Sequence, residues 1–170
     1  SFIVPRTREL AKLGTFGAKY GLGKYPLHSD TAHWPIPAKY VLLSVYGDIR
    51  RNTTLLSTKS LLAEDDELQK LLNKAIWFSG SSHSRFYCSI KFKVENTGGW
   101  RFDPICMKPA NMSARALQSM LLEKIDKATL VEHRWECNSV LIISNWVALH
   151  GRGEAPADES ERKLYRVLVR

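Results

Sequence analysis

The chain breaks into short β-favouring runs separated by turn residues, and that pattern constrains its fold more than any other feature. "YVLLSVYG" (residues 40–47) is apolar and β-favouring and is closed by Gly47, as a buried strand would be. "RFYCSIKFKV" (Arg85–Val94) alternates, with Phe86, Cys88, Ile90, Phe92 and Val94 on one face, and predicts a single half-buried strand. "TLVEHRW", "SVLIISNW" and "YRVLVR" predict three more. Only two segments carry a helical period. Between Ser57 and Ile76 the residues Leu61, Leu62, Leu68, Leu71, Leu72 and Ala75 recur at three- and four-residue spacing, and the gap after Leu62 suggests two short helices. Ser113–Ala128 predicts one longer helix, with Ser113 as its N-cap and a stripe of Leu117, Met120, Leu121 and Ile125. Residues 1–27 read as lead-in loops with a short helix, and Pro104 makes "WRFDPICM" irregular or an edge. The expected fold is mainly β: a sandwich or jelly roll with a few helical insertions, in one domain over residues 1–170.

Composition narrows the function classes. Apolar residues are 44% and charged residues 25%, ordinary for a globular protein. No run approaches the roughly 18 apolar residues that span a bilayer, and "SFIVPRTREL" lacks a signal-peptide layout. Cys88, Cys106 and Cys137 fit no CxxC or zinc-ribbon spacing, which suggests reduced thiols in the cytoplasm. The net charge of +8 is spread without a dense basic block or basic–aromatic interleaving, so nucleic acid is a possible partner but not the favoured one.

The chemistry concentrates in "KYPLHSDTAHWPIP" and "ALHGRG". His28 and Asp30, two apart on an extended segment, point to one side. Taken alone, they read as a turn-forming polar pair rather than as ligands. His150 follows an apolar strand, with Gly151 and Gly153 allowing a tight turn. Two imidazoles and one carboxylate suit a non-haem Fe(II) oxygenase. His33 is a competing ligand, expected instead at a pocket edge, while His83 and His133 read as solvated. Arg162, Tyr165 and Arg166 follow on the next strand, where a guanidinium could grip a carboxylate through two parallel hydrogen bonds. A hydroxyl from Thr54 or Thr53 could join it. Metal triad, arginine and threonine together are what 2-oxoglutarate requires.

"LHSDTAHWPIPAKYVLLSVYG", "NTTLL", "WRFDPICMKP", "ISNWVALHGRG" and "RKLYRVLVR" resemble successive motifs of the taurine dioxygenase/clavaminate synthase-like family of Fe(II)/2-oxoglutarate-dependent oxygenases, over about residues 20–170. The resemblance implies a double-stranded β-helix. It implies His28, Asp30 and His150 as iron ligands and Arg162 as the main 2-oxoglutarate arginine, with Thr54 assisting and Arg166 beside it or facing substrate. The implied cofactors are Fe(II), 2-oxoglutarate as co-substrate and O2. The implied reaction is hydroxylation of an unactivated C–H bond in a small polar metabolite or amino-acid-like molecule. Asp30, in place of a small residue, speaks against halogenation. Asp103 and Arg101 lie where relatives acting on amino acids hold a substrate ammonium, and Arg152 either reaches the pocket or braces the His150 loop. Two features depart from the family: only 27 residues precede His28, and "ECNS" stands where a Pro/Gly/Asp-rich turn is usual. Both bear on substrate choice. A nucleic-acid base as substrate, or a non-catalytic basic jelly-roll module, are the competing readings.

Overall fold

The computed structural model describes residues 1–3, 6–46, 51–62, 65–80, 85–153 and 163–170. Two four-stranded antiparallel sheets dominate. The first orders β1 (Phe2–Ile3), β13 (Lys163–Val169), β3 (Tyr40–Tyr46) and β11 (Val140–Ser144). The second orders β10 (Val131–His133), β4 (Thr53–Ser57), β12 (Ala148–Arg152) and β2 (Tyr25–His28). Strands distant in sequence are neighbours in both, so each sheet is closed only when the whole chain has folded. The inner faces meet through Val41, Leu43, Val45, Ile143 and Leu164, with Leu55 and Ala148 packed against them.

Alternation explains which side each residue takes. On β4 and β12, Leu55 and Ala148 face the other sheet, while Leu56 and Leu149 face outward. There they meet a second core built by helices α2 (Thr58–Leu62), α3 (Asp66–Lys74) and α4 (Met112–Lys127), where Leu61, Leu68, Leu72, Leu117 and Leu121 are buried. The periodic stripes predicted from sequence are therefore the faces that cover the second sheet. The gap after Leu62 does separate two helices: Asp65 caps α3, accepting from the Leu68 amide at 2.9 Å.

Two expectations are corrected. The alternating run Arg85–Val94 is two strands, β6 (Arg85–Cys88) and β7 (Lys91–Val94), in different sheets. β6 pairs with β5 (Trp77–Gly80), and β7 with β8 (Thr97–Trp100). The break falls at Ile90, which is buried and whose carbonyl accepts the Arg101 amide at 2.9 Å. Alternation reports which side chains face a core and is blind to a change of partner strand. The N-cap of α4 is Asn111, two residues before Ser113. Its Oδ1 accepts from Ala114 and Ile76 amides and its Nδ2 donates to the Lys74 carbonyl, so one amide starts α4 and ties it to the end of α3. β9 (Lys108–Pro109) pairs with β5, and the intervening residues 101–107 are irregular, as Pro104 suggested. The lead-in carries α1 (Phe16–Tyr20). All three cysteines are free, and among the described residues no helix is long and apolar enough to cross a membrane.

Candidate metal centre

His28 ends β2 and His150 lies in the middle of β12, and the two are direct cross-strand partners. Antiparallel pairing puts partners on one face, and here that face looks into the space between the sheets, with the imidazole rings 4.6 Å apart. Asp30 follows just past the strand end. His28 Nε2 lies 3.8 Å from Asp30 Oδ1, and His150 Nε2 lies 3.9 Å from Asp30 Oδ2. These separations are too long for hydrogen bonds. The three donor atoms fall within 4.8 Å of one another around a common point, and all three residues are buried. The His28 Nδ1–H donates to the Pro26 carbonyl at 2.9 Å, which leaves the Nε2 lone pair turned to that point.

The loop that carries Asp30 is held from behind. Asn145 is 1% exposed. Its Oδ1 accepts the Asp30 amide at 2.8 Å, and its Nδ2 donates to the carbonyls of Asp30 and Ala38 at 2.9 and 2.8 Å. Thr31 adopts φ 57°, a conformation that a β-branched residue rarely holds. Its hydroxyl donates to the Asp30 carbonyl at 2.6 Å and accepts the Ala38 amide at 2.8 Å, so the strained turn is fixed on both sides.

Arg166, on the inner face of β13, donates from Nη1 to both Asp30 oxygens at 3.0 and 3.1 Å. Burial pushes the Asp30 carboxyl up, but the His150, Arg166 and His28 charges outweigh it and hold it below its ordinary value. Burial, aided by His28 and Arg166 and opposed by Asp30, takes His150 down to about 3. A carboxylate and an unprotonated His150 therefore coexist across the neutral range, which is the protonation state a divalent cation needs. A pH dependence follows for the metal-free protein. Folded Asp30 and His150 both bind protons less readily than their unfolded forms, so stability falls as pH drops below the unfolded imidazole value of 6.5 toward 3. A loss of a few kcal/mol over that window is expected in urea midpoints. His150→Phe should flatten the curve, and an unchanged slope would contradict the assignment.

The centre opens into a cavity of about 400 Å3. Its lining places several expected residues together: His28, Asp30, His150, Arg166, Asp103 and Arg152. His33 stands exposed at the rim. Of the two threonines, Thr53 lines the cavity, and its hydroxyl accepts from Trp135 Nε1 at 3.1 Å. Thr54 alternates to the other side, where a Cβ on Gly151 would meet its Oγ1 at 3.0 Å. Asp103 Oδ1 accepts the Ile105 and Cys106 amides at 2.6 and 3.1 Å. The Arg101 guanidinium donates instead to the Trp34 and Pro35 carbonyls and lies over the Phe92 ring. The Arg152 guanidinium stacks on Tyr25 at 3.4 Å and donates to the Gly21 and Gly23 carbonyls, anchoring the end of α1. His133, expected in solvent, is half-buried edge-on to Trp135. Arg162 and His83 lie outside the described residues.

Two contributors were not anticipated. Phe16 of α1 lays its ring 4.3 Å from that of His28 and walls the cavity. A single aromatic in a glycine-rich lead-in gives no local signal for that. Asn145, which holds the Asp30 loop, is the second. The signal available was an amide in "SNW", at the end of an apolar strand, which must be satisfied when buried.

No protein-family model matches the chain, and no curated protein matches it by sequence. Solved structures do match. An asparagine oxygenase in complex with Fe(II), 2S,3S-3-hydroxyasparagine and succinate is 20% identical, over 99% of this chain and 55% of that one, with a TM-score of 0.77. The non-haem iron oxygenase OrfP, in complex with Fe and α-ketoglutaric acid, is 22% identical over 99% of this chain and 55% of its own, with a TM-score of 0.71. PvcB from Pseudomonas aeruginosa is 22% identical over 99% of this chain and 63% of its own, with a TM-score of 0.69. The chain spans little more than half the length of the first two. Over that span it has the same fold as these two iron oxygenases.

Proposed function

We propose that the chain is an Fe(II)/2-oxoglutarate-dependent oxygenase domain of double-stranded β-helix topology, hydroxylating a C–H bond of a small amino-acid-like substrate. The observation that carries this reading is the convergence of His28 Nε2, the Asp30 carboxylate and His150 Nε2 on one point of a buried cavity. The donor set fits the ion: two neutral nitrogens and one carboxylate, with the remaining side open to the cavity. Fe(II), 2-oxoglutarate and O2 supply the oxidation, with succinate and CO2 as co-products. His28, Asp30 and His150 hold the metal, and Phe16 excludes water beside His28. Arg162 receives the distal carboxylate of 2-oxoglutarate. The inward hydroxyl of Thr53 supports Thr53, rather than Thr54, as the assisting donor.

Asp103 is the residue best suited to a substrate ammonium. It is buried, it lines the cavity, and no basic side chain pairs with it among the described residues. Arg101 and Arg152 act through the loops they brace. The solved relatives bound to 3-hydroxyasparagine and to (3S)-hydroxy-L-arginine support an amino-acid substrate class.

The test is an anaerobic titration of metal-free protein with Fe(II) and 2-oxoglutarate. The expected result is a visible charge-transfer band, followed in air by succinate release that rises with free amino acids and not with alkylated oligonucleotides. A folded protein giving neither band nor succinate would sink the reading.

A further inference from the structure

Among the described residues, the outer face of the first sheet is apolar and uncovered. Register fixes which residues share it. Phe2 pairs with Tyr165, Tyr165 with Ser44 and Ser44 with Val140; one step along, Val167 pairs with Leu42 and Leu42 with Ile142. Val169, Tyr40 and Ser144 form the next row. Partners across antiparallel strands point the same way, and the alternate residues Val41, Leu43, Ile143 and Leu164 fill the inner core. Phe2 is 72% exposed, Ile142 65%, Val140 55% and Tyr165 45%. No charge occurs among these three rows, in a chain of net charge +8.

We propose that this face is the interface of a homodimer, two copies meeting face to face about a two-fold axis. Area, composition, charge and symmetry argue for a second copy as the occupant. The exposed apolar area of the face is on the order of 700 Å2, more than a typical monomer leaves open and close to one partner's share of a standard interface. Apart from Ser44 and Ser144, its three rows are aromatic and aliphatic with no lysine or glutamate, as in an interface core. An acidic partner would be met by basic residues across the face, and here they stand only at its border, Lys163 one row beyond Tyr165 and Lys39 over the Tyr40 ring. Two chains of +8 repel wherever their basic surfaces approach, so their least costly contact is centred on the three uncharged rows. An isologous contact also needs only one patch, complementary to itself. The metal centre lies on the opposite side of the same sheet, with Arg166 and Leu164 pointing inward, so the dimer leaves the cavity accessible.

Sedimentation equilibrium of the whole chain tests this. The wild type should be dimeric at about 50 µM, with a dissociation constant in the micromolar range. Ile142→Lys combined with Val167→Lys places like charges opposite one another and should weaken association at least about 100-fold. Leu122→Lys, on the exposed face of α4, should leave the dimer unchanged. If the lysine variant does not fold, Ile142→Ser with Val167→Ser serves in its place, with at least about 10-fold weakening expected. A wild type that is monomeric at about 100 µM overturns the proposal and leaves the face to further polypeptide of the kind the longer solved structures carry. A dimer that survives both face variants overturns it too.

Discussion

His150→Ala should lower Fe(II) affinity at least about 1,000-fold and reduce turnover below detection. Two nitrogens and one carboxylate are the whole protein contribution to the proposed site. Losing one leaves His28 and Asp30, a pair that holds a divalent ion weakly against water. The remaining carboxylate is also the preferred partner of Arg166, at 3.0 and 3.1 Å, so the vacated site collapses toward an ion pair in place of recruiting a new ligand. His28→Ala should behave alike. His33→Ala should stay within about 2-fold of wild type, because His33 is exposed at the cavity rim and outside the cluster of donors. Isothermal titration under argon reads the affinity, and urea unfolding separates a lost ligand from a lost fold. Retained binding in His150→Ala would remove the basis of the proposed function, whereas loss in His33→Ala would redraw the ligand set.

The fold was legible in the sequence to the extent that burial alone determines an element. The run at residues 40–46 and the Leu stripes at 61–72 and 117–121 carry their own period, and the structure gives strand and helices there. Arg85–Val94 shows the limit: every alternate residue is buried or half-buried, yet the backbone changes partner at Ile90, and pairing is a property of the partner strands, which local periodicity does not report. Asn111 shows another. Its value as a cap comes from Lys74 and Ile76, which no local rule can see. At the site, the convergence of His28, Asp30 and His150 was legible because ligand chemistry restricts residue type. Thr53 against Thr54 was not, since either hydroxyl suits the chemistry and only the facing of β4 distinguishes them. Phe16 was illegible for the same reason: its role is one of position, set by α1 folding back over β2.

Asn145→Leu should be among the most destabilising single changes outside the apolar core, by about 3–5 kcal/mol. The substitution keeps the volume roughly constant, so the cost is electrostatic. It strands the Asp30 amide and the Asp30 and Ala38 carbonyls, three groups now satisfied by one buried side chain. The Asp30 carbonyl keeps its second donor, the Thr31 hydroxyl, which is why the loss stops short of three full penalties. Trp146 supports the same loop from the next position, donating from Nε1 to the Pro37 carbonyl at 3.0 Å. The dipeptide "NW" thus locks the segment bearing Asp30 to the strand that leads to His150. A structural role alone would move only the urea midpoint. Because the amide sets where Asp30 stands relative to the two imidazoles, Fe(II) affinity of the folded variant should also fall by about 10–100-fold, as for other groups that orient a ligand. Measured at low temperature in stabilising osmolyte, where the variant remains folded, an unchanged affinity would reduce Asn145 to a packing residue. A combined loss would make it the element that couples folding of the two sheets to the geometry of the centre.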